Sequence, residues 1–487
     1  MTYKIDAVLI HPGDKRSVYQ DLGGSYSAIE PPIWCAIIAS QLRSKGFSVK
    51  IIDANADNLS PEEVSLIIKE ISPLMVAIWV TGVHPSASTQ TMPSAIKICQ
   101  AITSLCNVKV VLAGLHPTVL PQKTLNESTA NYVIEGNGLI SFIKLLNYLK
   151  HLSDNINLIP NLWYYNSKNL IKFTFKSSLK IEIPIAAWDL LPMSKYQAHN
   201  WQCLSNVSNR KPYAVIYTSI GCPYNCKFCC VHSLWQTRQV KYRSKEDIIT
   251  EIDLLVESYG IKYLKIADEN FLLNENHYLP ILEELVKKQY GLNIWCYARI
   301  DTLKIKHLKI LQNAGFNWIA LGIESSDNLV LKNVDKEIGK NHIIKTVKAI
   351  QSNGISVIGN FVFGLPEDNI DSLRSTFDFA QKLKCEFVNF NCMMPYPGTI
   401  YYENAIQSGT APPSWNAYSQ HSYETYPLSN KHLSAAQILK FRDQSFHKYF
   451  SDKSYLKRIE DQFGLTAKKH IKNMIGTKLK RKLYSTD

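Results

Sequence analysis

Along residues 4–149, short apolar runs rich in β-branched residues take turns with longer stretches whose apolar positions return every three or four residues. The runs KIDAVLI, SVKIID, LMVAIWV, VKVVLAG and NYVIEG predict strands, and IWCAIIASQLRSKG, PEEVSLIIKEI and TMPSAIKICQAITSL predict helices. Five such units in succession argue for an open, doubly wound (Rossmann-like) parallel sheet over residues 1–150. In such sheets a ligand lies across the carboxyl ends of the strands. Residues 151–208, with NLIPNLWYYNSKNL and IPIAAWDLLP, lose the alternation and read as a linker with a small β-element. A second series follows over 209–404, with strands at YAVIYTS, IKYLKIAD, LNIWCYA, NWIALGI, ISVIGNFVF and FVNFNCM. Helical stretches such as SKEDIITEIDLLVESYG and NIDSLRSTFDFAQKLK separate them. Six units fall short of the eight that close a full barrel, so a partial (β/α)6 barrel of the TIM type is expected. Residues 405–487 begin irregular and end helical.

Length and composition narrow the class. A chain of 487 residues that is 46% hydrophobic can bury a large core across several domains. The first residues, MTYKIDAVLIHPGDKRS, lack the basic, apolar and small-residue succession of a signal peptide. No apolar stretch approaches the roughly 18 residues of a membrane span. Eleven cysteines, an odd number and mostly scattered, do not make a disulfide framework; they point to a reducing cytoplasm. The net charge of +13 is uneven: residues 431–487 hold 14 Lys and Arg against 5 Asp and Glu. Such an end could meet nucleic acid or an acidic membrane face. KFRDQSFHKYF and YLKRIEDQFG nonetheless read first as amphipathic helices with a solvated basic side, and no RNA-binding motif accompanies them.

The densest chemistry is GCPYNCKFCC at 221–230, which follows the first strand of the second series. Cys222, Cys226 and Cys229 are soft ligands suited to zinc or an iron–sulfur cluster. A structural zinc site asks for a fourth ligand, commonly in a second C-x-x-C pair, and none follows at that distance. Three thiolates on a four-iron cube leave one iron open to another molecule. Cys230, adjacent to Cys229, reads as a buried, incidental thiol, as do Cys35, Cys99, Cys106, Cys203, Cys296, Cys385 and Cys392.

The C-x-x-x-C-x-Φ-C spacing, with Phe228 as the aromatic, resembles the signature of radical S-adenosylmethionine (SAM) enzymes. Further elements at successive strand ends fit the same family: ADENFLLN, YARID, LGIESSDNLVLKNVDK and GNFVFGLPED. The resemblance implies a [4Fe-4S] cluster on the three cysteines and SAM chelating its open iron. It further implies Asp268 or Glu269 at the methionine amino group, Arg299 at the carboxylate, and Glu324 with Ser325 near the ribose. Reduction by a donor such as flavodoxin or ferredoxin would then yield a 5′-deoxyadenosyl radical that takes hydrogen from a small-molecule substrate.

The first domain lacks both G-x-G-x-x-G after its first strand and the P-loop pattern, so a dinucleotide or nucleoside triphosphate is not indicated. SAIEPPIWCAIIASQLRSKGFSVKIIDA, AGLHPTVLPQKTL and YVIEGNG together resemble the cobalamin-binding domain that precedes the barrel in many radical SAM enzymes. On that resemblance Gly114, His116, Pro117, Thr118, Gly136 and Gly138 are the expected corrinoid contacts. One departure stands out. The D-x-H-x-x-G motif, whose histidine ligates cobalt, is missing; AVLIHPGDKRS has His11 with neither its Asp nor its Gly. This implies a corrinoid bound without an imidazole from the protein. The family implies methyl transfer to an unactivated carbon or phosphorus centre. Its rivals are oxidative cyclisation, as in anaerobic tetrapyrrole cyclases, and non-catalytic corrinoid binding. Trp295, Tyr297, Asn360, Asn389 and Tyr396 are candidates to line the substrate space.

Overall fold

A computed structural model describes residues 5–13, 15–81, 87–152, 155–173 and 183–484. They form two compact units. One takes in the start of the chain to Lys15, Pro31–Lys195 and Cys230–Arg238; the other takes in Arg16–Glu30, Tyr196–Cys229 and the chain from Gln239 onward. The segments 16–30 and 230–238 thus pack with the unit that sequence order would not assign them.

In the first unit the five expected strands are β1 (Ala7–His11), β2 (Val49–Asp53), β3 (Met75–Trp79), β4 (Lys109–Ala113) and β5 (Tyr132–Ile134). They run parallel in the order β2-β1-β3-β4-β5. The winding reverses between β1 and β3, which marks the switch point where doubly wound sheets take their ligands. Every residue of β3 is buried, as a central parallel strand covered on both faces requires. Helix Pro61–Ile71 packs on Ser88–Leu105, and Ile33–Ser44 on Leu139–Leu149. Local signals set the helix starts: Ser60 and Glu63 close a capping box ahead of Pro61. The small β-element is a hairpin, β6 (Leu162–Asn166) and β7 (Asn169–Phe173), and it extends this same sheet antiparallel from β5.

In the second unit β8 (Tyr213–Ile216) leads into a short ribbon, β9 (Ser219–Ile220) with β10 (Lys241–Tyr242). β11 (Tyr263–Ile266), β12 (Asn293–Arg299), β13 (Phe316–Glu324), β14 (Ser356–Phe363) and β15 (Phe387–Cys392) then pair parallel in chain order from β8. This is the partial barrel of six strands. Tyr297, Arg299, Gly322, Asn360, Val362, Asn389 and Asn391 are half-buried at alternate positions between fully buried neighbours. That period of two gives the barrel a polar inner wall. Near the strand N-termini the wall ends in an aromatic floor: Trp201 meets Trp295 at 4.9 Å and Trp318 at 5.5 Å, and Phe463 stacks on Trp318 at 5.9 Å.

Helices Ala435–Ser451, Lys453–Phe463 and Leu465–Gly476 finish the chain's fold. Arg442 Nε donates to the Phe390 carbonyl of the edge strand at 2.7 Å, and the Tyr449 and Tyr455 hydroxyls donate to the carbonyls of Cys385 and Glu386. An exposed parallel edge is thereby covered. Two cations of the basic end are structural: Arg442 and Arg481 are buried and share the Asp443 carboxylate. Among the described residues no helix is long and apolar enough to cross a membrane.

Candidate active site

Sequence places the cysteine loop at the end of β8, and the carboxylates that follow β11 fix its root. Asp268 is wholly buried and accepts from Thr218 N (2.7 Å), Thr218 Oγ1 (2.5 Å) and Ser219 Oγ (2.5 Å). Burial pushes its carboxyl up against these bonds. Glu269 Oε2 accepts the Gly221 amide at 3.0 Å. Gly221 has φ +94°, and a Cβ there would lie 2.6 Å from the Gln239 carbonyl, so the tight entry into the loop needs glycine. On the far side the Lys227 amide and ammonium donate to the carbonyls of Val334 and Asn333. Phe228 packs against Val330, Val334, Leu365 and Met393.

Between these supports Cys222, Cys226 and Cys229 are half-buried, whereas Cys230 is 3% exposed. The Cys229 amide donates to the Cys226 carbonyl at 3.0 Å, which curls the loop between them. Arg299, the last residue of β12, donates from Nη1 to Cys226 Sγ at 3.3 Å. Its guanidinium lies 3.7 Å from the centre of the Tyr224 ring and is bidentate to Asp301. Three half-buried thiols on one curled loop offer the soft donors that iron–sulfur clusters take. The donor set therefore fits an iron–sulfur cluster, and the remaining cysteines, all but Cys106 fully buried, do not.

Glu324 ends β13 in an unusual way, and Ser325 follows it. Glu324 has φ +63°, and its Oε1 accepts from Lys336 Nζ at 2.7 Å with both side chains buried. A Cβ on Gly322 would stand 2.6 Å from that ammonium, so the glycine makes room for the pair. Ser325 Oγ is wholly buried, shares a hydrogen bond with Thr376 Oγ1 at 3.1 Å and accepts the Asp327 amide. In the glycine-rich element after β14, the Gly364 and Leu365 amides both donate to Asp368 Oδ2 at 3.0 Å. Sequence reasoning missed Tyr224 and Lys336, whose partners Arg299 and Glu324 lie 75 and 12 residues away; Asp301, two residues after Arg299, was open to a local reading.

In the first unit the expected corrinoid contacts gather at the strand C-termini. Thr118 Oγ1 donates to the Gly114 carbonyl (2.6 Å) and accepts the Gly136 amide (2.9 Å), tying the loop after β4 to the loop after β5. Gly114 has φ +110°, and a Cβ would meet Thr81 Oγ1 and the Val80 carbonyl at 2.5 Å. Pro117 lies in the short helix Leu115–Val119, and Gly138, φ +72°, sits against the Phe142 ring. Gly136 has φ +84°, and a Cβ there would touch Gln236 Oε1 at 3.5 Å. Three glycines with positive φ thus cluster at the sheet's ligand edge, where loops without side chains let the backbone come close to a ligand. His116 is wholly buried beside Thr89, and burial pushes its imidazole down to about 3, so it is neutral. His11, ending β1, bonds through Nδ1 to Asp53 Oδ1 at 3.0 Å.

Comparison with known proteins agrees with this architecture. Residues 216–380 match the model of the radical SAM superfamily, and residues 19–145 match that of the B12 binding domain. The chain is 30% identical to an uncharacterized methyltransferase, PH0819, of Pyrococcus horikoshii, over 91% of this chain and 93% of that protein. It is 22% identical to the anaerobic magnesium-protoporphyrin IX monomethyl ester cyclase of Rubrivivax gelatinosus, over 92% of this chain and 78% of the relative. Among solved structures, the radical SAM methyltransferase TsrM of Kitasatospora setae, with cobalamin and a [4Fe-4S] cluster bound, superposes with a TM-score of 0.66. That match covers 85% of this chain and 81% of the other at 17% identity, a likeness of fold.

Proposed function

This chain belongs to the radical SAM enzymes that carry a cobalamin-binding domain, and from that membership we infer a methyltransferase acting on an unactivated carbon or phosphorus centre of a small molecule. The observation that carries the reading is the triad of accessible thiols beside Arg299, in a chain whose first unit keeps a glycine-lined sheet edge. Cys222, Cys226 and Cys229 would hold the cluster, Arg299 the SAM carboxylate, and the Gly114–Thr118 and Gly136–Gly138 loops the corrinoid. When bound, these groups supply an electron that splits a carbon–sulfur bond, a carbon radical strong enough to take hydrogen, and a methyl group to deliver. A flavodoxin or ferredoxin in a reducing cytoplasm is the natural electron source.

The protein's own part is to bind, orient and exclude water. Arg299 can offer a charge-assisted bond to a carboxylate while Asp301 and the Tyr224 ring hold its plane. Tyr297, Asn360, Asn389 and Asn391 offer an acceptor molecule hydrogen bonds along the inner wall. Asn389 Nδ2 already donates to Asn360 Oδ1 at 2.9 Å, which fixes both amides. Trp295 is committed to the floor at 2% exposure, and Tyr396 lies beyond β15, 6.4 Å from the Tyr418 ring. Asn389→Leu is expected to weaken acceptor use about tenfold, the scale of a hydrogen-bonded group left unpaired. Deoxyadenosine formed without acceptor should stay at the wild-type rate, and the ratio of the two products reads this out.

The 22% identity to a cyclase favours a second reading, oxidative ring closure. Anaerobic turnover with methyl-deuterated SAM, dithionite and a metabolite extract separates the two. Methyl transfer gives a product heavier by one labelled methyl; hydrogen loss or oxygen gain without label identifies a cyclase.

A further inference from the structure

We propose that the barrel unit holds, apart from the site described above, a cleft built for the phosphate group of an organic phosphomonoester. The cleft, of about 900 Å3, lies between helix Ala435–Ser451, the segment 477–484 and Leu22. Its volume is that of a site for a small organic molecule. Lys440, Gln444, His447, Lys448 and Ser451 line it from the helix, and their spacing of three and four residues sets them on one face. Lys478 lines it from the segment that follows the last helix. All of these residues belong to one compact unit.

The walls are tied together by the protein itself. Asp443, the one acid in the lining, accepts from Arg481 Nε at 2.8 Å, Arg481 Nη2 at 3.0 Å and the Tyr484 hydroxyl at 2.6 Å, and Arg442 donates to it as well. Gln20 Nε2 donates to the carbonyls of His421 and Lys480, and Gln20 Oε1 accepts the Lys480 amide. The only carboxylate is therefore spent, and donors remain. Lys440, Lys448 and Lys478 have no hydrogen bond or ion pair among the described residues; Lys448 meets only the Phe377 ring, at 5.0 Å. His421 Nδ1 faces Arg442 Nη2 at 3.2 Å and can only accept there, so its proton sits on Nε2, which has no partner among the described residues. Three ammoniums and an imidazole N–H call for an anion with several oxygens. A phosphomonoester brings three terminal oxygens and about two negative charges at neutral pH, whereas a carboxylate brings two oxygens and one charge. Leu22, Phe446 and Leu479, half-buried in the same lining, would meet the organic part.

The test is titration calorimetry of the full chain with phenyl phosphate, alongside co-sedimentation with vesicles of equal parts phosphatidylcholine and phosphatidic acid. Saturable binding of phenyl phosphate points to a soluble source of the phosphate, and vesicle binding alone points to a lipid headgroup. In either arm Lys448→Gln and Lys478→Gln are each expected to weaken binding about tenfold, the scale of one hydrogen bond to a charged group. Lys472→Gln, exposed on helix Leu465–Gly476 and outside the lining, makes the same change of charge and should leave binding at wild-type strength. An equal effect of Lys472→Gln, benzoate bound as tightly as phenyl phosphate, or no binding in either arm overturns the proposal. Binding gained only when residues 485–487, outside the described residues, are removed also overturns it, because the chain's own end would then fill the cleft.

Discussion

Serine at Cys222, Cys226 or Cys229 is expected to bring deoxyadenosine formation below detection and to strip most of the iron, whereas Cys230→Ser keeps both. All four thiols sit within nine residues, so the contrast isolates position from composition. The three are half-buried on a loop anchored at Gly221 by Glu269 and in its middle by Lys227, and one already faces Arg299. A serine hydroxyl is a poor ligand for iron, and a cube held by two thiolates is exposed to loss. Cys230 instead begins the segment that packs with the first unit, and burial pushes its thiol up to about 12. Its replacement places a hydroxyl in an apolar site, at a cost of about 1–3 kcal/mol if no partner is found. That cost belongs in the melting temperature, not in iron content. Iron and sulfide assays with chromatography of the reaction mixture decide the matter. One triad variant with full iron and turnover would remove the basis for the cluster site.

What was legible in the sequence follows the range of the interaction that fixes it. Strands such as β3 announce themselves because burial on both faces selects unbroken apolar runs, visible within five residues. The cysteine loop is equally local: its spacing and its place after β8 are one continuous string. The acidic elements at the ends of β11 and β13 stand out in the sequence, but the partners of Asp268 and Glu324 do not. Asp268 is spent on Thr218 and Ser219, and Glu324 on Lys336, through hydrogen bonds that leave no period in the chain. The same reason hid the hairpin's attachment to β5 and the packing of residues 16–30 with the barrel unit. Both depend on a surface assembled from distant segments. The hydrogen bond of His11 with Asp53 is of the same kind: strand pairing brings the two together from 42 residues apart.

An ion pair of the barrel unit between residues 235 apart carries the second large effect: Glu30→Gln is expected to destabilise the protein by about 3–5 kcal/mol at neutral pH, the usual result of stranding a buried charge. Lys265 is 2% exposed on β11, and its Nζ lies 2.9 Å from Glu30 Oε1. Its other near neighbours are the rings of Trp295 at 4.8 Å and Tyr297 at 5.5 Å. Those faces soften a lone ammonium but do not neutralise it. Lys265→Met should cost less, because Glu30 keeps the Tyr213 hydroxyl at 3.0 Å and His199 at 3.5 Å and can also take up a proton. The double variant should be more stable than Glu30→Gln alone, since it removes both charges; that inequality is the signature of the pair. The pH dependence has a definite sign. Burial pushes the Glu30 carboxyl up, but Lys265 and His199 outweigh it and hold the group well below the usual carboxylate range. Its stabilisation is therefore complete above the unfolded value of about 4.3 and drains away as pH falls toward the folded one. Urea unfolding of the wild type and Glu30→Gln at pH 7 and pH 4 tests this, with the gap between them shrinking on acidification. Equal midpoints at pH 7, or a gap that widens in acid, would show that the ion pair does not hold the floor of the barrel.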